Sequence, residues 1–237
     1  MIHGMVSKDR FNDAVHLYAS MHKAAIVPDS FTFSFVLKAC ARLNLFHLGM
    51  MMHSLVFKTG FDCDVFVKTN VVCFYSKCGF LKDAWKMFDD MVVKNIVSWT
   101  GMICGCIEFG KFREAVYLFR GLLESGLRPD GFVIVRVLRA CARLGDLDSG
   151  RWIDRCLRDC GLSRNVFVAT SLVDMYTKCG SMEEARFGYA SNGLPREAIE
   201  LFFEMRKVNV RPDCYAMMGA LSSCVIDFWQ VYQILSK

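Results

Sequence analysis

Between residues 96 and 130 the chain alternates two kinds of apolar stretch. IVSWTGMICGCIEF is apolar almost throughout and compatible with a helix. FREAVYLFRGLLESG instead places Phe112, Ala115, Val116, Leu118, Phe119 and Leu122 at spacings of three and four, the signature of a helix with one buried stripe. Gly110 between them can take the left-handed backbone that ends a helix, and Gly126 closes the second stretch. Arg128-Pro129-Asp130 then turns the chain. Pro28 and Pro212 sit at the same turn, where a missing N–H costs little, while Pro195 opens a second helix. The predicted unit is therefore a helical pair. The small residues Ala14, Ala84, Ala115, Ala185 and Ala198 fall early in each second helix and would let the paired helices approach closely.

This unit recurs. LKACARLNLFHLG and LRACARLGDLDSG match, as do VFVKTNVVCFYSKCGFLKDAW and VFVATSLVDMYTKCGSMEEAR; Cys141 follows Cys40 by 101 residues, and Cys179 follows Cys78 by the same 101. Within that long period the turns end on Asp29, Asp64, Asn95, Asp130 and Asn165, at steps of 35, 31, 35 and 35 residues. A two-helix unit cannot bury its own apolar face, so such units stack on one another around a continuous core. The pattern predicts an all-α, right-handed superhelical solenoid over 1–225, with units at about 1–29, 30–64, 65–95, 96–130, 131–165, 166–187, 188–213 and 214–225, and a divergent tail at 226–237. Two irregularities stand out. Met1 aligns with the seventh position of a unit, and Asp213 follows Asn165 by 48 residues where the rhythm requires 66. The sequence thus reads as a truncated chain with an internal deletion, and a fused helix or disordered joint is expected near Phe187–Asn192.

Composition narrows the classes. Of 237 residues, 54% are hydrophobic and 22% charged, too apolar for disorder, and the net charge of +5 permits a polyanionic partner without requiring one. The most apolar run, from Asn95 to Ile107, is bounded by Lys94 and Glu108 and falls short of the ~20 residues a bilayer needs, so no membrane association is expected. The first residues show neither a signal nor a transit peptide. Twelve cysteines include no C-x-x-C pair and no zinc-ligand spacing; they read as small buried residues of a reducing compartment, and no cofactor is implied. All five histidines precede residue 54, unaccompanied by any acid or nucleophile pattern.

The 35/35/31 rhythm, with turns such as SGLRPD and VNVRPD, resembles the pentatricopeptide repeat family. The alternation of ordinary units, long-type units (FTFSFVLKACARL, FVIVRVLRACARL) and short units is similar to its plant subclass with three repeat variants. The resemblance implies binding of single-stranded RNA at one base per repeat. It makes the fifth and last residues of each unit the base readers: Ser34/Asp64, Thr69/Asn95, Thr100/Asp130 and Val135/Asn165, with Thr170 and Asp213 left without partners. A carboxylate only accepts hydrogen bonds and suits the N–H edges of guanine or uracil; an amide donates and accepts, and suits adenine or cytosine. In the family a small hydroxyl at position five accompanies purines, so Thr69/Asn95 implies A, Thr100/Asp130 implies G, and the two together 5′-A-G-3′. Position two (Phe31, Phe66, Val97, Phe132, Phe167 and Tyr215) would wedge between bases, against the alternative of first-turn core residues. Position thirteen (Arg42, Lys77, Arg143 and Lys178, with Glu108 breaking the row) would meet phosphate, against the alternative of solvated charge.

The deaminase signature H-x-E…P-C-x-x-C that often ends such proteins has no counterpart here, so an enzyme is not expected. The resemblance implies a monomeric site-recognition factor for RNA editing or processing in a mitochondrion or chloroplast, with any deaminase supplied in trans. A protein-binding scaffold is the competing class, and a non-functional fragment the third. The recurrence of Asp or Asn with Ser or Thr at the two reading positions speaks against the scaffold.

Overall fold

The computed structural model describes residues 1–159 and 166–179, and these residues form helices joined by short turns, with no strand among them. The chain divides into two compact units, Met1–Pro129 and Asp130–Lys237. The first contains α1 (Ile2–Val6), α2 (Phe11–Lys23), α3 (Ser30–Leu43), α4 (Phe46–Lys58), a 3₁₀ turn at Phe61–Cys63, α5 (Val65–Lys77), α6 (Leu81–Asp89), α7 (Ile96–Glu108) and α8 (Phe112–Glu124). The described part of the second contains α9 (Gly131–Leu144), α10 (Leu147–Asp159) and α11 (Val166–Lys178). The all-α helix-turn-helix repeat read from the sequence is the fold found. The joint expected near Phe187–Asn192 and the tail at 226–237 lie outside the described residues.

In the first unit α1, α3, α5 and α7 pack side by side as one layer, and α2, α4, α6 and α8 each pack against the helix before them. In the second, α9 and α11 are neighbours and α10 packs on both. The core between the layers comes from the predicted stripes. Ala115, Leu118, Phe119 and Leu122 of α8 are buried, and so are Met102, Ile103 and Cys106 of α7. A buried Leu or Phe stabilises by roughly 1.5–3 kcal/mol relative to leaving it exposed.

The hinge inside each pair is a tight turn. Residue 110 has φ of 72° and residue 79 has φ of 84°, a region glycine enters at no steric cost, and the following residue folds back so that Lys111 N–H bonds Cys106 O and Phe80 N–H bonds Tyr75 O. The fourth residue of each described second helix is small: Ala14, Ala84 and Ala115 are fully buried, as the sequence predicts. Ala185 and Ala198 lie outside the described residues. In the long-type units the same place is held by Gly49 and Gly150, a substitution that the alanine pattern alone does not reveal. A Cβ on Gly49 would stand 2.1 Å from the Phe74 ring, and one on Gly150 would stand 2.3 Å from the Met175 sulfur.

The cysteines are less uniform than expected. Among the nine described, all free thiols, Cys40, Cys106 and Cys141 are buried, Cys63 is exposed, and the others are intermediate. Burial pushes the Cys40 and Cys141 thiols up to about 12 and that of Cys106 to about 11, which keeps these three protonated and inert.

Candidate nucleic-acid interface

The residues that end each repeat also begin the next helix. Asp29 Oδ1 accepts from Thr32 N–H at 2.7 Å and from the Thr32 hydroxyl at 2.6 Å, which holds its carboxyl below the ordinary value. Asp64 Oδ1 accepts from the N–H groups of Phe66 and Val67, Asn95 Oδ1 from Ser98 N–H, and Asp130 Oδ1 from Val133 N–H. Each is the N-cap of a first helix. Asp and Asn are among the best caps, because a short acceptor satisfies a backbone donor the helix leaves open. Capping alone therefore explains why Asp and Asn recur at this step. Their recurrence is as necessary to a scaffold as to a base reader, and it does not decide between them.

The fifth and last residues of a repeat are joined most fully at Thr69 and Asn95. The Asn95 amide donates from Nδ2 to Thr69 Oγ1 at 2.9 Å, while the Thr69 hydroxyl donates to Val65 O at 2.7 Å. The bond spans 26 positions within one short unit. Asn95 keeps a second amide hydrogen and a second lone pair on Oδ1 beyond these bonds. Val97 follows on α7 and Phe66 precedes on α5, both exposed. At the preceding unit Ser34 is 1% exposed and its hydroxyl makes no hydrogen bond among the described residues; Asp64 is held by its cap bonds. Thr100 is half-buried on α7 in the first unit, and Asp130 opens the second unit as the cap of α9. Val135 is half-buried on α9, and Thr170 is exposed on α11. Asn165, Asp213 and Tyr215 lie outside the described residues.

At position two the side chains face outward. Phe31, Phe66, Val97, Phe132 and Phe167 are 62%, 46%, 55%, 59% and 78% exposed, so they are not first-turn core residues. The Phe31 and Phe66 rings stand 6.0 Å apart, and Arg136 lies 5.2 Å from the Phe132 ring centre. Position thirteen is less even. Arg42 lies over the Phe11 ring at 5.9 Å. Lys77 pairs with Glu108, the same position one repeat later, at 2.5 and 2.7 Å, and Lys178 pairs with Asp174 at 2.8 Å. Arg143 is exposed on α9. The residue that interrupts the cationic row in the sequence thus engages one of its members across two helices.

Known proteins share this architecture. The PPR repeat family model matches residues 1–42, and the PPR repeat model matches 68–96, 97–127, 167–186 and 187–210, together more than half of the chain. The chain belongs to the pentatricopeptide repeat family. Among Arabidopsis thaliana members, the putative pentatricopeptide repeat-containing protein At3g08820 is 41% identical over 94% of this chain and 35% of its own length. At1g77170, a mitochondrial member, is 34% identical over 90% of this chain and half of its own length. The chain spans about a third of the length of the first curated relatives it matches. Among solved structures, pentatricopeptide repeat protein PPR10 in complex with an 18-nt psaJ RNA element superposes with a TM-score of 0.55 over 94% of this chain and 30% of that one, at 19% identity, a likeness of fold. Thr69 and Asn95 both fall within the repeat matched at 68–96, near its two ends, and a direct hydrogen bond brings them together.

Proposed function

We propose that this pentatricopeptide repeat chain binds single-stranded RNA, one base per repeat, and serves as a site-recognition element in organellar RNA editing or processing. The observation that carries the reading is the bond from Asn95 Nδ2 to Thr69 Oγ1, which joins the N-cap of α7 to α5, helices that also carry the exposed Val97 and Phe66. The hydroxyl is fixed by its own bond to Val65 O, and the remaining donor and acceptor of Asn95 match the amino group and bare ring nitrogen of adenine. Of Phe66 and Val97, the first offers an aromatic face, and stacking on such a face contributes roughly 1–3 kcal/mol per base. Thr100 and Asp130 read guanine in the same scheme, which makes A-G the preferred central dinucleotide. The chain acts by recognition, with any deaminase chemistry supplied by a partner, and the mitochondrial and chloroplastic relatives support an organellar RNA target.

The test is binding of the purified chain to short fluorescent RNAs with and without a central AG. Wild type should prefer AG, and Thr100→Asn should move the preference at the second base from G to U. Binding that ignores both sequence and substitution would sink base readout. The exposed Met51 and Phe57 of α4 favour a second reading, a scaffold for a protein partner, and a folded chain that binds no RNA would move the assignment there.

A further inference from the structure

Cations are not spread evenly over the first helices of the repeats. Positions two, six, nine and thirteen of a first helix fall at i, i+4, i+7 and i+11 and share one face. Two side-chain pairs fix how these faces adjoin in the first unit: Phe31 meets Phe66 at position two, and Lys77 meets Glu108 at position thirteen. At position nine, burial and the neighbouring Cys104 raise the Cys73 thiol to about 12, and the ammonium of Lys38 opposes that rise from one helix away.

Along that face α3 carries Phe31, Phe35, Lys38 and Arg42. The next helix, α5, carries Phe66, Asn70, Cys73 and Lys77, with Asn70 bonded back to Phe66 O and Lys77 engaged by Glu108. On α7 the same four places are Val97, Gly101, Cys104 and Glu108. The second unit repeats the contrast. There α9 carries Phe132, Arg136, Arg139 and Arg143, whereas α11 carries Phe167, Ser171, Asp174 and Lys178, the last two paired with each other. Lys38 and Arg139, equivalent residues 101 positions apart, are both exposed, and neither takes part in an ion pair among the described residues.

We infer that the two long-type helices, α3 and α9, are the phosphate clamps of this chain, gripping the RNA backbone through position nine, Lys38 and Arg139, while the short and ordinary helices carry base readout. The occupant is the phosphodiester of single-stranded RNA: each basic residue sits on the same helix face as an exposed aromatic, the arrangement that lets one strand stack and be neutralised together. Long-type units thereby have work to do even where their reading pairs are imperfect, as at the buried Ser34 and the apolar Val135. The inference rests on the RNA-binding reading above.

The test is the salt dependence of RNA binding by the full chain. On a single strand, each phosphate that the protein neutralises contributes about 0.7 to the slope of log K against log salt. The double variant Lys38→Gln/Arg139→Gln should therefore lower the slope by about 1.4 while leaving the ratio of AG to scrambled RNA unchanged. Lys82→Gln/Lys86→Gln removes the same charge from α6 and should leave the slope where it was. An unchanged slope in the first variant, or an equal fall in both, overturns the clamp but leaves base readout standing. Wild type that binds no RNA at any salt overturns the RNA-binding reading and the clamp with it.

Discussion

Residues 30–78 and 131–179 are the same long-plus-short segment written twice, 101 positions apart, and they solve the same packing problem with different polar partners. In the first, His53 Nδ1 of α4 and the Tyr75 hydroxyl of α5 share a hydrogen bond of 2.9 Å. In the second, the corresponding Tyr176 donates to Asp154 Oδ2 at 2.8 Å, and Arg158 reaches the same oxygen at 2.8 Å. The outward face changes as well. Met50, Met51 and Phe57 of α4 are exposed, where α10 has Arg151, Trp152 and Arg158. What does not change is the small residue at the fourth place of the second helix and the left-handed hinge, Asn44 with φ of 55° and Gly145 with φ of 65°. The repeat is thus defined by its backbone approach and its hinge, and the tyrosine accepts any partner that satisfies its buried hydroxyl.

The sharpest way to break the equivalence is at the glycines. In Gly49→Ala the new methyl meets the stiff ring of Phe74, and overpacking of this kind costs about 1–3 kcal/mol. Gly150→Ala meets the flexible thioether of Met175, which can turn aside; the helix-propensity gain of about 1 kcal/mol is common to both variants, so it offsets the softer clash at 150 but not the one against the ring at 49. Thermal unfolding should show a clear loss for the first and almost none for the second; equal losses would mean the two segments pack alike.

A smaller contrast is expected at the tyrosine partners. Asp154→Ala removes the buried carboxylate that both Tyr176 and Arg158 bond and should cost about 2 kcal/mol, the loss of a charged acceptor at a buried hydroxyl. His53→Ala strands only Tyr75 and should cost about 1 kcal/mol. Denaturant titrations of the two variants give the order, and equal losses would show that the guanidinium adds nothing.

The smallest effect separates the segments by pH. Burial is the main cause that lowers the His53 pKa, with Asp83 opposing and Lys68 assisting. The unfolded chain therefore takes up this proton first, near the ordinary value of about 6.5. The stabilising contribution is complete above that value and declines as pH falls through it toward the folded pKa. Melting temperature should drop modestly from pH 7.5 to 5.5 in wild type, and His53→Gln should remove that part of the drop. A slope left intact in the variant would assign it to other groups.

Much of this is legible in the sequence because repetition amplifies weak signals. The hinge at Gly110, the buried stripe of α8 and the 101-residue register are local patterns, and backbone chemistry enforces them in every copy. The interactions that escape a reading of the sequence are those between copies. Nothing in Lys77 or Glu108 alone announces that they pair, since that depends on α5 and α7 lying side by side. The cap role of Asp64, Asn95 and Asp130 is hidden differently: capping and the proposed base reading predict the same spacing, and the spacing does not say which of them maintains it. The glycines at 49 and 150 fall outside the alanine pattern because that pattern expresses a size limit, and glycine satisfies the limit more strictly.

The double duty proposed for the capping residue bears on how such a protein could change its target over generations. Asp and Asn cap a helix about equally well. On the proposed reading, exchanging one for the other at Asn95 or Asp130 preserves the start of α7 or α9 while reversing part of the hydrogen-bonding pattern offered to a base. Either exchange takes a single residue and leaves the cap bond in place. On that reading lineages could drift from one RNA site to another without first losing a folded intermediate, because Oδ1 keeps the cap while the other terminal atom of the side chain changes from donor to acceptor or back.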